Sequence, residues 1–398
     1  MPERNMPLRN IPLHPNNSAR QTSADGFVYT LRPDGAACVL SYRGGARSVV
    51  YPTAVDGHPV GHVSMAAFSM TGIEELIIPE GVEEIAPILM AYELRRIVLP
   101  DDLEPGRAPM IFRCRKLEEI RARASSLHYA TVGGVLFSRD GTVLYCVPQG
   151  LKLTEYTVPA GVREIAGSAF GGCASLRQIQ LPAGLRCIGD GAFQDCADLL
   201  SADLPDSLEH IGACIWSGCG KLERFHIPAA VRTIGADAFP QPDAVPEITV
   251  DPENRHFIVR EGMLLDRELT RLLRCARQDR TEVQVPEGVE EIDPHAFSGC
   301  LSLRRITLPD SLKRIGAGAF AGCTALESAE IPAGVQEIPA DAFARCVSLR
   351  EVRLPASLKR LQPFSFWGCR SLRRVAVPAG ADIDDEAFDD REIEILRI

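Results

Sequence analysis

The chain has 398 residues, a net charge of −10 and an apolar content of 45%, which is ordinary for a globular protein. Its acidic balance disfavours nucleic acid or an anionic membrane surface as a partner. It contains no apolar run of about 18 residues, the length that insertion into a bilayer needs. Composition therefore points away from nucleic-acid-binding and membrane-spanning proteins.

The first residues do not look like part of a folded domain. Residues 1–24 are polar and rich in proline and asparagine, without the apolar segment of a secretory signal. We expect a disordered leader here and a cytoplasmic location for the sequence as it stands. A cell-surface or secreted location is the alternative if the true start lies upstream.

A repeat of 23 residues dominates the rest of the chain, and each unit begins with a proline that follows a short β-like run. These prolines are Pro159, Pro182, Pro205, Pro228, Pro286, Pro309, Pro332, Pro355 and Pro378. A constant period in this range predicts coils that stack on one another. Stacked coils extend one continuous core, so the length does not require several domains.

Each position of the repeat has a physical reason. Leu303, Ile306 and Leu308 form the pattern L-x-x-I-x-L, whose last two apolar residues alternate as in a half-buried strand. The proline that follows lacks an amide hydrogen and ends the strand. Leu312 and Ile315 form a second apolar pair for the opposite wall. An Ala-Phe step and a cysteine, as in residues 319–323, are expected on a short helical turn that faces inward.

The resulting string, L-P-x-x-L-x-x-I-x-x-x-A-F-x-x-C-x-x-L, resembles the leucine-rich repeats of the treponemal, BspA-like family. The units that keep it start at Pro159, Pro182, Pro205, Pro286, Pro309, Pro332 and Pro355. The resemblance implies an α/β repeat fold: a right-handed leucine-rich-repeat solenoid with a concave parallel β-sheet, short convex strands and helical turns. It also implies adhesion or protein contacts as the function.

Two segments interrupt the repeat, and two more differ from it at its ends. Residues 123–153 and 251–280 match each other at a shift of 128 residues and read as β-hairpin insertions, expected to protrude from one edge. Residues 25–75 resemble the family's N-terminal cap, and residues 379–398 resemble a C-terminal cap. We therefore expect a single solenoid over residues 25–398.

The cysteines form a column, one in each of eight coils. They are Cys114, Cys173, Cys196, Cys219, Cys300, Cys323, Cys346 and Cys369. A disulfide ladder or a metal ladder is possible in principle, but free cysteine is among the most buried residue types, and a packing role is favoured. No C-x-x-C or H-E-x-x-H motif indicates a metal or cofactor site. A nucleophile–base pair of Cys146 with His128 is the one catalytic alternative.

The outward positions of the L-x-x-I-x-L strands are the main candidates for function, because in a solenoid they form one continuous sheet face. The candidate partner-binding residues are Arg177, Glu223, His226, Arg304, Arg305, Glu327, Arg350, Arg353, Arg373 and Arg374. Arg304, Glu327 and Arg350 are predicted to share one column. The alternative is a solvated ladder of charges that neutralise one another, each neighbouring pair contributing about 0.2–1 kcal/mol.

A second candidate is an aromatic patch at residues 363–367. Phe366 occupies the usual phenylalanine position, whereas Phe364 and Trp367 replace residues that are small or polar in other units. Exposed aromatic residues are enriched in binding hot spots. Contact with the divergent terminal coil, through Phe388, is the alternative role.

These patterns predict a non-enzymatic module that binds a protein or peptide partner, by interaction or adhesion, and is itself monomeric. A self-associating structural or scaffold protein is the alternative, and an enzyme is a more distant one. No cofactor, metal, nucleic acid or membrane insertion is expected.

Overall fold

The computed structural model describes residues 20–82, 84–107, 111–239, 247–275, 279–389 and 393–398. The chain divides into two compact units, Met1–Ser126 and Leu127–Ile398, which we call unit 1 and unit 2. The leader that the sequence predicts for residues 1–24 lies mostly outside the described residues. Its last part contradicts the prediction of disorder, because Gln21–Thr22 pairs with the strand that contains Val28 and Tyr29.

Unit 1 consists of short strands. They are β1 (Gln21–Thr22), β2 (Phe27–Leu31), β3 (Ala37–Tyr42), β4 (Ser48–Val50), β5 (Ala54–Val55), β6 (His58–Val63), β7 (Glu75–Ile77), β8 (Ile88–Leu89), β9 (Arg96–Val98), β10 (Ile111–Phe112) and β11 (Glu119–Arg121). The sheet β1-β2-β3-β6-β5 contains antiparallel pairs and buries Phe27 and Tyr29. The sheet β4-β7-β9-β11 is parallel throughout, as coils stacked in register require.

Unit 2 contains 26 further strands and one short helix among its described residues. In chain order they are β12 (Tyr129–Val132), β13 (Val135–Ser138), β14 (Val143–Cys146), a 3₁₀ helix (Gln149–Leu151), β15 (Glu155–Thr157), β16 (Glu164–Ile165), β17 (Gln178–Gln180), β18 (Cys187–Ile188), β19 (Ser201–Ala202), β20 (His210–Ile211), β21 (Arg224–Ile227), β22 (Thr233–Ile234), β23 (Glu247–Val250), β24 (Phe257–Arg260), β25 (Met263–Asp266), β26 (Arg271–Cys275), β27 (Glu282–Gln284), β28 (Glu291–Ile292), β29 (Arg305–Thr307), β30 (Arg314–Ile315), β31 (Ser328–Glu330), β32 (Glu337–Ile338), β33 (Glu351–Arg353), β34 (Arg360–Leu361), β35 (Arg374–Val377), β36 (Asp382–Ile383) and β37 (Glu394–Arg397).

Each regular coil contributes one strand to each of two walls. The L-x-x-I-x-L segments form parallel sheets such as β27-β29-β31-β33, and the second apolar pairs form parallel sheets such as β16-β18-β20-β22. Register advances by one repeat at each step, so that Ile292 lies opposite Ile315. Leu312 and Phe320 are fully buried between the walls. The predicted parallel repeat solenoid is confirmed.

The predicted helical turns are wrong. In the part of the chain that the structure describes, the only helix is the 3₁₀ helix, and the Ala-Phe segment consists of consecutive tight turns. Alternate amides bond within the coil, as Cys323 N–H does to the Phe320 carbonyl, and the others bond to the next coil, as Phe320 N–H does to the Ala342 carbonyl at 2.8 Å. Left-handed residues, including Gly318 with φ +61° and Asp341 with φ +57°, turn these amides outward. An α-helix is right-handed and cannot contain these left-handed residues.

Glycine in the G-x-G segments, such as Gly316 and Gly318, serves this stacking. Gly318 adopts the left-handed conformation that favours glycine. A Cβ at Gly316 would lie 2.2 Å from the backbone nitrogen of Pro294 in the preceding coil. The segment therefore provides close backbone approach between coils.

Both predicted hairpins are present, but they do not protrude. Each is a three-stranded antiparallel unit, β12-β13-β14 or β24-β25-β26, and the register shifts at Leu136 and at Leu264, which are 128 residues apart. The third strand continues the second wall, since Leu144 pairs in parallel with Ile165 and Leu272 with Ile292. Each unit therefore replaces a coil within the stack, because its third strand offers the backbone groups that a regular coil would offer.

Buried polar contacts hold the second three-stranded unit. Arg271 donates two hydrogen bonds to Asp293, at 2.6 and 2.7 Å, and the nearly buried Arg274 donates to the carbonyl of His295. Burial raises the pKa of the Asp293 carboxyl to about 6 despite the adjacent Arg271. His295 in turn lies 3.1 Å from a carboxylate oxygen of Asp237. Removing one partner of such a buried pair is costly, so these contacts fix the unit in place.

The interior of the last coils is a column of stacked phenylalanines bordered by cysteines. Neighbouring ring centroids lie 4.9–5.6 Å apart along Phe297, Phe320, Phe343, Phe366 and Phe388, with interplanar angles of 5–14°. Seven of the eight cysteine thiols donate to a carbonyl of the preceding coil, as in the bond of 3.1 Å from Cys323 to Phe297. The cysteine column therefore contributes hydrogen bonds as well as packing.

The thiol contact gives a stability prediction. Cys323→Ala removes both the donor and buried volume, so we expect the free energy of unfolding to fall by about 1–3 kcal/mol. Cys187→Ala, on a partly exposed strand position, is the matched control and should cost less than about 1 kcal/mol. Urea unfolding followed by circular dichroism measures both, and equal losses in the two variants would contradict the role given to the thiol.

Candidate protein-interaction surface

The surface predicted to carry function is the outer side of the L-x-x-I-x-L strands in unit 2, from β15 to β35, which we call the first-strand face. In β29 the side chains of Arg305 and Thr307 are exposed on either side of the buried Ile306. This alternation follows from the pleat of a strand. Because the coils are in register, equivalent outward positions form columns that run from coil to coil.

The structure places the predicted binding residues on the surface, as expected. Glu327 is partly exposed, and its companions are exposed: Arg177, Glu223, His226, Arg304, Arg305, Arg350, Arg353, Arg373 and Arg374. The column of Arg304, Glu327 and Arg350 is confirmed. The Glu327 amide donates to the Arg304 carbonyl at 3.0 Å, and the Arg350 amide donates to the Glu327 carbonyl at 2.9 Å.

Some of these charges neutralise one another. Arg304 lies 3.7 Å from Glu327, and Arg305 lies 3.6 Å from Glu282 in the coil before it. Arg353 donates to Glu351 at 2.9 Å, and this hydrogen bond raises the pKa of the arginine. Exposed ion pairs of this kind contribute about 0–1 kcal/mol each. These ion pairs orient the side chains but add little to the stability of the fold.

Four arginines of the predicted set, Arg177 among them, form no ion pair with the described residues. Within the described ranges, Arg350, Arg373 and Arg374 form no ion pair, although all three are exposed. They occupy two consecutive coils, since Arg373 follows Arg350 by one repeat of 23 residues. The sequence showed that these positions are basic, but not that their charges lack a counter-ion.

Unit 1 gives a direct comparison, because its strands carry a similar pattern. Arg96 donates to Glu119 at 2.7 Å and to Glu75 at 3.3 Å, and Arg95 donates to Glu118 at 2.8 Å. The hydrogen bonds from Arg96 to Glu119 and Glu75 raise the pKa of the Arg96 guanidinium. The ladder of charges that neutralise one another, proposed from the sequence as the alternative to binding, is therefore well developed in unit 1.

A second ladder in unit 2 was missed by the sequence analysis. It lies on the strands of the second apolar pairs and alternates in sign from coil to coil through Arg271, Glu291, Arg314, Glu337, Arg360 and Asp382. Arg314 lies 2.6 Å from Glu291, whereas Arg360 lies 3.9 Å from Asp382. The signal was present as a sign change every 23 residues from Glu291 to Arg360, just before the isoleucine or leucine of each pair.

The aromatic patch is exposed as predicted. Phe364 and Trp367 are 38% and 41% exposed, and the guanidinium of Arg345 lies 5.4 Å from the centre of the Trp367 ring. Phe364 has a φ of +60°, a rare conformation for a bulky residue. The terminal Phe388 does not explain the patch, because its ring stacks on the buried Phe366.

The structure does not place His226, or the pair of Cys146 with His128, in a catalytic arrangement. His226 hydrogen bonds to the Thr249 hydroxyl at 3.0 Å on the next coil. Cys146 lies opposite Leu136, whereas His128 lies beyond the pairing of Tyr129 with Ser138, two strands away. Because strands are spaced about 4.8 Å apart, the structure does not bring Cys146 and His128 together.

The repeats of this chain match a known protein family. A family model described as BspA type leucine rich repeat region, in six copies, matches residues 145–257 and 275–394. The chain belongs to the BspA-type leucine-rich repeat family. No curated protein matches it.

Solved structures resemble this BspA-type chain. A leucine rich cell surface protein from Faecalibacterium prausnitzii is 23% identical, with a TM-score of 0.51 and coverage of 96% of this chain and 95% of that one. The pneumococcal vaccine antigen PcpA is 18% identical (TM-score 0.45; 94% and 89% covered), and a leucine-rich repeat protein from Eubacterium ventriosum is 18% identical (TM-score 0.42; 95% and 96% covered). The first of these supports the fold.

No helix in the described parts of this BspA-type chain is long and apolar enough to cross a membrane. Likewise, the described residues contain no cluster of three or more histidine, cysteine or acidic side chains that could hold a metal ion. Burial raises the pKa of the Cys323 thiol to about 12. Because the thiolate is the form that attacks substrates and binds metals, this thiol is chemically inert at neutral pH.

The two tryptophans of the BspA-type chain allow a direct test of the exposed patch. Trp216 occupies the phenylalanine column and is fully buried, whereas Trp367 is exposed. We expect the Trp216→Phe variant to show red-shifted emission that acrylamide quenches strongly, because only Trp367 then fluoresces. Trp367→Phe should show blue-shifted, weakly quenched emission, and similar quenching of the two variants would contradict the placement of the patch.

Proposed function

We propose that this BspA-type protein is a non-enzymatic interaction module that binds a protein or peptide partner across the first-strand face of unit 2. The family to which it belongs typically mediates protein interaction or adhesion, and leucine-rich repeat proteins are generally not enzymes. The observation that carries the proposal is the continuity of the face: outward side chains repeat in register over consecutive coils.

The chemistry of the face supports binding more than catalysis. Its exposed groups are mostly arginines, glutamates, glutamines and small hydroxyl residues in columns, and its exposed histidine, His226, hydrogen bonds to Thr249. Catalysis requires a nucleophile and a base that converge within hydrogen-bond reach. A row of equivalent positions instead suits a partner that contacts several coils at once.

Blocking the face without changing its charge tests the proposal. Thr307 and Ser328 are exposed on the first-strand face, and the double variant Thr307→Trp, Ser328→Trp should reduce capture of partner proteins from extracts of surface proteins by about tenfold or more, since steric clashes cost several kcal/mol. Bound proteins are identified by mass spectrometry after capture on immobilised wild-type chain.

The matched control is Thr233→Trp, which places the same bulk on an exposed position of the opposite wall. Control and wild type should capture the same proteins in the same amounts. Loss of capture in the control but not in the double variant would reject the first-strand face. Sedimentation velocity, run in parallel, should show a monomer, as the sequence predicts; concentration-dependent growth would favour the self-associating alternative.

A further inference from the structure

We propose that the last coils of the first-strand face form a site for an extended acidic peptide segment, with Arg350, Arg353, Arg373 and Arg374 as the residues that bind its carboxylates. This inference rests on the proposed interaction function and specifies the chemistry of the partner. We call these four residues the arginine cluster.

The charge of this region is opposite to that of the whole chain. Residues 341–378 contain eight basic and two acidic residues, a net charge of +6, whereas the chain as a whole carries −10. The basic residues are Arg345, Arg350, Arg353, Lys359, Arg360, Arg370, Arg373 and Arg374, of which Lys359 and Arg360 belong to the opposite wall. At physiological ionic strength the Debye length is about 8 Å, so a ligand at the cluster experiences mainly the local positive charge.

Three of the four arginines of the cluster also lack the ion pairs found elsewhere, whereas Arg353 pairs with Glu351 and Glu330. Arg350, Arg373 and Arg374 form no ion pair with the described residues, unlike Arg95 and Arg96 in unit 1. Among the described strands, β33 ends one hydrogen-bonded ladder and β35 begins another, as also happens between β19 and β21. Like charges on neighbouring coils destabilise pairing, and a bound anion would relieve that repulsion.

The spacing of the cluster suits a segment rather than one small anion. Arg350 and Arg353 lie along one coil, and Arg373 and Arg374 lie on the next, so the guanidinium groups spread along a strand as well as across the sheet. In an extended peptide, alternate side chains lie on one side about 7 Å apart. Guanidinium groups bind carboxylates through two parallel hydrogen bonds, so several contacts form at once.

Acidic residues within the cluster favour a peptide over a uniformly charged polymer. Glu351 hydrogen bonds to Arg353, and Glu394 lies opposite Arg374 in the backbone register. These carboxylates would repel a dense polyanion such as a sulfated polysaccharide. A peptide with spaced carboxylates can place neutral residues next to them.

The test measures anisotropy of a short fluorescein-labelled peptide of alternating glutamate and glycine. We expect the wild-type chain to bind it, with affinity that falls as sodium chloride is raised, and not to bind a glutamine–glycine peptide of the same length. The triple variant Arg350→Gln, Arg373→Gln, Arg374→Gln should lose about tenfold or more in affinity, since each exposed charge pair contributes modestly.

The control variant carries Arg186→Gln, Arg232→Gln and Lys313→Gln, which remove the same charge from exposed positions of the opposite wall. It should bind the acidic peptide as the wild type does, and thermal unfolding should show that both variants fold. Absence of binding by the wild-type chain, or equal losses in the two triple variants, overturns the inference. Binding of heparin without binding of the peptide replaces it with a sulfated polysaccharide.

Failure here is distinguishable from failure of the proposed function. If Thr307→Trp, Ser328→Trp abolishes capture of a protein partner while the acidic peptide does not bind, the interaction function stands and the acidic partner class is rejected. If neither that variant nor the arginine variant changes capture, the first-strand face is rejected together with the cluster.

Discussion

The structure of unit 2 depends on one contact that recurs from coil to coil. Apart from Cys300, each cysteine thiol of the column donates to a carbonyl of the preceding coil, and in the last coils that carbonyl belongs to a phenylalanine whose ring stacks on its neighbour. The same carbonyl accepts an amide of its own turn, as Phe297 does from Cys300. Both lone pairs are thereby used. A shift of the period by one residue would disrupt the ring stack and the hydrogen bond together.

This contact explains why the interior is chemically inert and the exterior is variable. Burial raises the pKa of the Cys173, Cys219 and Cys323 thiols to about 12, so they stay protonated donors. The outward residues of each strand carry no such constraint. In unit 1 they pair into a charged ladder, and in the last coils of unit 2 they leave the arginine cluster exposed. The same repeat thus supports surfaces with different properties.

Much of this architecture could be predicted from the sequence. The period, the inward positions, the charge column at Arg304 and the correspondence between the two three-stranded units were all visible as spacings. The helical turns were predicted wrongly because Asp341 and Phe364 adopt the left-handed conformation, which no local sequence rule assigns to a phenylalanine. Their amides then bond between coils.

Other features required coordinates. The continuation of the second wall by β14 and β26 depends on which backbone edge faces the next coil, and a hairpin pattern does not reveal this. The difference between the paired Arg96 and the unpaired Arg373 depends on distances between side-chain ends. The sequence established that both are basic, and the structure established which of them lacks a counter-ion among the described residues.

Hydrogen–deuterium exchange of the free protein tests whether neighbouring coils bond to each other along the turn edge as well as along the strands. The amides of Phe297, Phe320 and Phe343 each donate to the following coil, so we expect them to exchange as slowly as the strand amides of Ile306 and Val352. Exchange of these three amides at the rate of exposed turns, while the strand amides stay protected, would contradict this expectation.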